Sequence, residues 1–261
     1  MTPSEIHNLC RKYNIKNYTI NDDMSISVEG DVNLSYRNLK SIPIKFKEVT
    51  GDFYCGYNQL TSLEGCPETV GGYFSCHSNR LTSLKYCPET VGGFSCSHNQ
   101  LTSLKYCPET VGGHFYCSNN QLTSLKGCPE TVGGGFYCYY NQLTSLQGCP
   151  ETVGGDFNCN NNQLTSLEGC PETVSGGFSC YDNQLTNFDG LPEFFERPIH
   201  LSGNPVYEIY KLFNQDPRCI YWIREYDVII DMTVIRYRLE EVYHTLGMDI
   251  PNIELSNYKL V

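Results

Sequence analysis

The chain has 261 residues, 40% of them hydrophobic and 18% charged, which supplies a sizeable core and excludes simple disorder. Its net charge of −11 has the wrong sign for an electrostatic nucleic-acid binder. No apolar run approaches the ~20 residues that cross a bilayer, so neither nucleic acid nor a membrane is an expected partner.

The chain opens on Met1-Thr2-Pro3-Ser4-Glu5, without the basic start and apolar stretch of a secretory signal. Thr2 and Glu5 have the spacing of a capping box, with Pro3 at the first helical position. Ile6, Leu9, Cys10 and Tyr13 then share one helical face. Tyr18-Thr19-Ile20 and Ser25-Ile26-Ser27-Val28, separated by Asn21-Asp22-Asp23-Met24, predict a hairpin. Residues 1–30 are expected to be an N-terminal helix–hairpin cap.

From residue 31 to 204 a block recurs. Asn58, Asn79, Asn99, Asn120, Asn141, Asn162, Asn183 and Asn204 follow one another at intervals of 20 or 21 residues. Around them runs Phe-x-Cys-x-x-Asn-x-Leu-Thr-Ser-Leu-x-x-Cys-Pro-Glu-Thr-Val, as in Phe74, Cys76, Asn79, Leu81, Leu84, Cys87 and Val91. A degenerate copy passes through Leu34, Leu39 and Ile42, which makes about nine coils. No coil of this length buries its apolar face alone, so the coils are expected to stack through short parallel strands. Phe and Cys alternate inward on each strand, and the Gly-Gly ahead of it and the Pro after the second Cys exclude helix there. Each asparagine is read as an inward amide bonding backbone groups of its own and the neighbouring coil.

This pattern resembles the leucine-rich repeat family, in particular its short class found in bacterial secreted effectors. Gly190-Leu191-Pro192-Glu193-Phe194-Phe195-Glu196 is similar to segments in small repeat proteins of phages and giant DNA viruses. The resemblance implies a repeat solenoid with a parallel strand stack, an irregular convex side and α-helical caps. It also implies protein–protein interaction, with a host protein as partner and host cytoplasm or virion as location if the source is viral. Effectors of the similar class that ligate ubiquitin carry a much larger C-terminal catalytic domain, for which this tail is too short.

The 15 cysteines form two columns plus Cys10 and Cys219. Cys55, Cys76, Cys96, Cys117, Cys138, Cys159 and Cys180 sit on the strands. Cys66, Cys87, Cys107, Cys128, Cys149 and Cys170 precede the prolines. Flanking coils put Leu34, Leu191 and Leu201 in the same slots, so cysteine is read as a small hydrophobe, unreactive until unfolding. Stacked disulfides or a metal ladder are the rivals, weakened by Cβ spacing and by the lack of Cys-x-x-Cys. So many free thiols imply a reducing, cytoplasmic compartment. No cofactor is expected.

Positions flanking the strand core vary while the core does not. They carry Tyr54, Tyr57, Tyr73, His77, His98, His114, Tyr116, Tyr137, Tyr139, Tyr140, Asn158, Asn160 and Tyr181. Tyrosine with small polar residues has the composition of a paratope, which makes this strand face the candidate site for a protein partner. The bland alternative is that tyrosine suits a strand surface, in a structural or virion-associated repeat protein without a specific partner. Glu68, Glu89, Glu109, Glu130, Glu151 and Glu172 form a second column, read as solvated carboxylates with weak divalent-cation binding as the lesser alternative. Catalysis is not expected: the histidines lie at variable positions without a triad spacing or phosphate loop.

Past the repeats, Asn204-Pro205, Asp216-Pro217 and Asp231 each predict a helix start. Ile235, Leu239, Val242 and Leu246 give the third helix its stripe, ended by Gly247. Residues 205–261 are expected to form a C-terminal helical cap, with partner docking as its functional rival.

Overall fold

Each 21-residue coil lays only two or three residues flat on its front, because a chain that must return to its start in so few steps has room only for short strands. The computed structural model describes residues 1–192 and 199–261; residues 193–196 of the Leu-Pro-Glu-Phe-Phe-Glu segment lie outside that description. The flat residues pair in parallel into a front ladder: Val32–Asn33, Phe53–Tyr54, Tyr73–Ser75, Gly93–Ser95, Phe115–Tyr116, Phe136–Tyr137, Phe157–Asn158 and Phe178–Ser179. His200 extends it by a single bridge to Ser179. The register is strict, with each Phe opposite the next, so Phe53 pairs Phe74 and Phe115 pairs Phe136.

That register stacks the rings inside the coil. Successive phenylalanine centroids from Phe53 to Phe178 lie 5.1 to 5.7 Å apart, and each ring is buried. The strand cysteines lie two residues further along the same face and are fully buried, as period 2 requires. Leucines such as Leu122 and Leu125 close the core from the other side.

The asparagines run as an amide ladder beneath the front strands. In Asn120, Nδ2 donates to the carbonyls of Cys96 and Cys117, both at 3.1 Å, while Oδ1 accepts the N–H of Leu101 at 3.0 Å. The same three kinds of partner serve Asn79, Asn99, Asn141, Asn162, Asn183 and Asn204. Each amide thus satisfies groups of two coils that no strand reaches.

The back is more regular than the family resemblance implied. Thr-Val pairs form a second parallel ladder through Thr110–Val111, Thr131–Val132, Thr152–Val153 and Thr173–Val174. An equivalent ladder at the N-terminal end joins Thr69–Val70 and Phe46–Val49 to the cap. Between the ladders the chain passes through the Gly-Gly pairs, where neighbouring coils come close. A Cβ at Gly154 would collide with the carbonyl oxygen of Gly133.

At the N-terminus, α1 (Pro3–Lys12) carries the capping box and buries Ile6 and Cys10. The hairpin Tyr18–Ile20 with Ile26–Val28 is antiparallel, and its second strand begins the back ladder. At the other end come α2 (Tyr207–Leu212), α3 (Arg218–Glu225) and α4 (Arg236–Leu246), with Cys219 buried and Gly247 left-handed at φ 67°. Asp231 does not start a helix. It sits with Met232 at positive φ in a hairpin turn between Ile229–Ile230 and Thr233–Val234, and Lys259–Leu260 adds a third strand. The flanking β-branched run favours strand, which moves the helix start to Arg236. Among the described residues no helix is long and apolar enough to cross a membrane.

Replacing Asn120 by Leu orphans the buried Leu101 N–H, while the carbonyls of Cys96 and Cys117 each lose one of two amide donors and keep Asn99 and Asn141. At roughly 1–3 kcal/mol for an orphaned buried group, stability should fall by at least about 1 kcal/mol. Denaturant unfolding of this variant beside Gln121→Ala, at an exposed neighbour expected to change stability by less than ~0.5 kcal/mol, measures the difference.

Candidate functional site

Four columns of side chains leave the front ladder, and the repeat sets the direction of each. Tyr54, Tyr116, Tyr137 and Asn158 stand between Phe and Cys and point away from the core, half-buried among their neighbours. Tyr116 and Tyr137 stack with centroids 4.5 Å apart and planes 6° from parallel, and His114 lies 5.9 Å and 6.1 Å from the two rings. Tyr139 meets Tyr140 edge-on at 5.8 Å. These five form one aromatic cluster on two neighbouring coils, those of Phe115 and Phe136.

A second cluster lies toward the N-terminal cap. Tyr57 stacks on Tyr36 at 4.2 Å and meets His77 edge-on at 4.5 Å, with Tyr54 and Tyr73 6.2 Å apart beside them. Tyr36, Tyr54, Tyr57 and His77, with Tyr13, Asp31 and Arg37, line an open concavity of about 590 Å³. Tyr36 was not among the sequence candidates because its coil is degenerate. Aligning Leu34 and Leu39 with the repeat would have placed it in the column of Tyr57.

The remaining candidates stay apart. Tyr181 and His98 have no ring contact with either cluster among the described residues. Asn160 is 3% exposed and Oδ1 accepts from Ser179 Oγ and the Tyr181 N–H, both at 2.9 Å, so it serves the fold and drops out of the face. The column ahead of Phe is also partly structural. Asp52 Oδ1 accepts the Tyr73 N–H at 2.7 Å, Asp156 Oδ1 that of Gly177 at 2.7 Å, and His114 Nδ1 that of Gly135 at 2.8 Å.

Tyr54, Tyr73, Tyr116 and Tyr137 are held as neutral phenols. Tyr54 donates to Asp52 Oδ2 at 2.7 Å, which with burial pushes its pKa up to about 12. Burial raises Tyr73, Tyr116 and Tyr137 as well, and burial with the nearby His98 lowers His77. These four positions therefore offer rings and hydroxyls.

The residue before each ladder asparagine is left-handed throughout. Its φ is 51° at Tyr57, 51° at Ser78, 54° at His98, 55° at Asn119, 53° at Tyr140, 53° at Asn161 and 53° at Asp182, and the equivalent Tyr36 of the degenerate coil, ahead of Arg37, is at 57°. Asn and Asp tolerate this conformation, whereas a bulky side chain is strained by about 1–2 kcal/mol. Tyr36, Tyr57, His98 and Tyr140 carry that strain with their rings exposed. Glycine or asparagine would serve the backbone without it.

All 15 cysteines are free. Burial raises the thiol pKa in both columns, to about 12 at Cys128 and Cys170. The expectation that every repeat thiol is sealed until unfolding needs correction. The strand column and Cys66 are buried, but Cys87, Cys107, Cys128, Cys149 and Cys170 are partly exposed, because each sits at the corner where the chain leaves the core for the back ladder. Among the described residues no three His, Cys, Asp or Glu side chains converge on a metal-holding group. The Glu column is exposed, its backbone pairing from coil to coil, as from Glu89 N to the Glu68 carbonyl at 2.8 Å.

The two ladders, the amide ladder and the inward Phe-Cys-Leu core define a parallel β-solenoid of the leucine-rich-repeat type. No protein-family model matches the chain, and no curated protein matches it. Among solved structures it is similar to YopM from Yersinia enterocolitica WA-314, at 22% identity and a TM-score of 0.45, over 67% of this chain and 42% of that one. The chain thus spans less than half the length of that structure.

In native protein at neutral pH, a small thiol reagent should label the five corner cysteines slowly and leave the seven strand cysteines untouched until denaturant is added. Peptide mapping of the labelled sites reads the order; strand-column labelling in the native state would contradict it.

Proposed function

We propose that the chain is a non-catalytic recognition module that binds a protein partner through its front face. The Tyr116–Tyr137 stack with His114, Tyr139 and Tyr140 forms the centre of that face, and Tyr36, Tyr57 and His77 with Tyr54 and Tyr73 form a second contact. Asn158, His98 and Tyr181 lie on its margin. The observation that carries this reading is the left-handed column: exposed rings at Tyr36, Tyr57, His98 and Tyr140 are held in a backbone conformation that disfavours them. Rigid aromatic rings present large contact area with little side-chain entropy to lose, which is what binding requires. The free thiols favour a partner in a reducing compartment, a host cytosol if the source is viral.

Affinity capture from cytosol with the wild type and with Tyr116, Tyr137, Tyr139 and Tyr140 together changed to Ser tests the face. A partner retained by the wild type and lost by the variant is expected. With the captured partner purified, single Tyr→Ala changes at the centre should weaken binding about tenfold or more, near 2 kcal/mol each. Identical captured sets, or none, would favour a structural repeat protein whose regularity serves packing.

A further inference from the structure

Each coil turns one corner through a β-turn between the second leucine and the second cysteine: the Cys87 N–H donates to the Leu84 carbonyl at 2.9 Å and the Cys107 N–H to that of Leu104 at 3.0 Å. The tips of these turns read, in order along the stack, Glu64-Gly65, Lys85-Tyr86, Lys105-Tyr106, Lys126-Gly127, Gln147-Gly148, Glu168-Gly169 and Asp189-Gly190. The second tip residue has positive φ in all of them, from 71° at Tyr86 and 73° at Tyr106 to 92° at Gly65. Glycine is the default there, yet two adjacent coils put a tyrosine in its place, 49% exposed at Tyr86 and 51% at Tyr106. Three of the four basic residues between 51 and 190, where 12 residues are acidic, stand at these tips, Lys85 and Lys105 beside the tyrosines and Lys126 on the next coil.

The row is complementary to itself when reversed. With Lys126 of one copy set against Gln147 of another, Lys105 faces Glu168 and Lys85 faces Asp189, and twofold symmetry repeats every pair. In the same register Tyr86 faces Gly190, Tyr106 faces Gly169, and Gly127 faces Gly148, so each large side chain meets a small one. Shifting by one coil in one direction sets Lys126 against Lys126, and shifting in the other leaves Lys85 without a carboxylate. A parallel pairing sets each tip against its own kind, lysine on lysine and carboxylate on carboxylate. Both copies have the same coil spacing, so the register holds along the row.

We propose that this corner ridge is the interface of an antiparallel twofold dimer, with a second copy of this chain as its occupant. The contact is isologous, as a closed dimer requires. Six turns at ~4.8 Å make a ridge roughly 24 Å long, narrower than the ~800 Å² per partner of a stable interface. The twofold also brings the Glu89–Glu109–Glu130 flank of both copies to the same side. Association is therefore weak and concentration-dependent, and it uses a different surface from the front face.

Sedimentation equilibrium of the full chain, from low micromolar to submillimolar concentration, tests it with two exposed-site variants. The wild-type mass should rise toward that of a dimer. Lys85→Glu with Lys105→Glu should hold the chain monomeric, and so should Glu168→Lys with Asp189→Lys. An equimolar mixture of the two variants should dimerise again, because opposite charges face each other at all four altered positions. If circular dichroism shows either variant misfolded, Tyr86→Gly with Tyr106→Gly, which removes the ring contacts without backbone strain, should lower the dimer fraction of a folded chain. A wild type monomeric throughout, variants that dimerise like the wild type, or a folded mixture that stays monomeric overturns the proposal.

Discussion

The amide ladder is the interaction on which the rest of the solenoid depends. A stack of coils leaves backbone N–H and C=O groups at every turn where no strand continues, and burying them unpaired is prohibitive. One asparagine per coil, bonded to the carbonyls of two coils and the N–H of a leucine in the coil before, removes that penalty and sets the step between coils. The strict register of the phenylalanine rings follows from it. So does the left-handed residue before each asparagine, since the chain must double back for the amide to reach its own coil's carbonyls.

With the interior held this way, the exterior is free to vary, and it varies in columns. A column is a row of side chains with nearly constant spacing, so a change in one coil alters one point on a flat surface. This lets the front face carry rings in two clusters, and the corner carry an ordered row of charges, without disturbing the core. It also explains why some apparently variable positions are not free. Asp52, His114, Asp156 and Asn160 look like surface substitutions, but each accepts a backbone N–H from the coil that follows.

The thiols show how the same geometry grades burial within one residue type. Strand cysteines alternate with outward residues and are sealed. Corner cysteines lie where the chain turns toward the back ladder, and most of them reach solvent. Both columns act as small hydrophobes, and burial holds their thiols protonated.

The period of 20 or 21 residues, the inward Phe, Cys and Leu, the asparagine bonding and the capping box of α1 were legible in the sequence, because each is a local pattern repeated or a short-range rule. The back ladder was less legible, since a two-residue Thr-Val strand has no periodicity of its own and pairs only once the stack exists. The hairpin around Asp231 was misread as a helix start for a related reason: Lys259–Leu260, the strand that joins it, lies far along the chain. At the candidate face the sequence supplied the tyrosines, but which rings touch depends on the turn geometry. Tyr36 joined Tyr57, Asn160 turned inward, and left-handed φ angles at tyrosine and histidine emerged only with the backbone. Composition and spacing determined what each coil must bury; tertiary structure decided which of the leftover side chains meet, because that depends on how one coil sits upon the next.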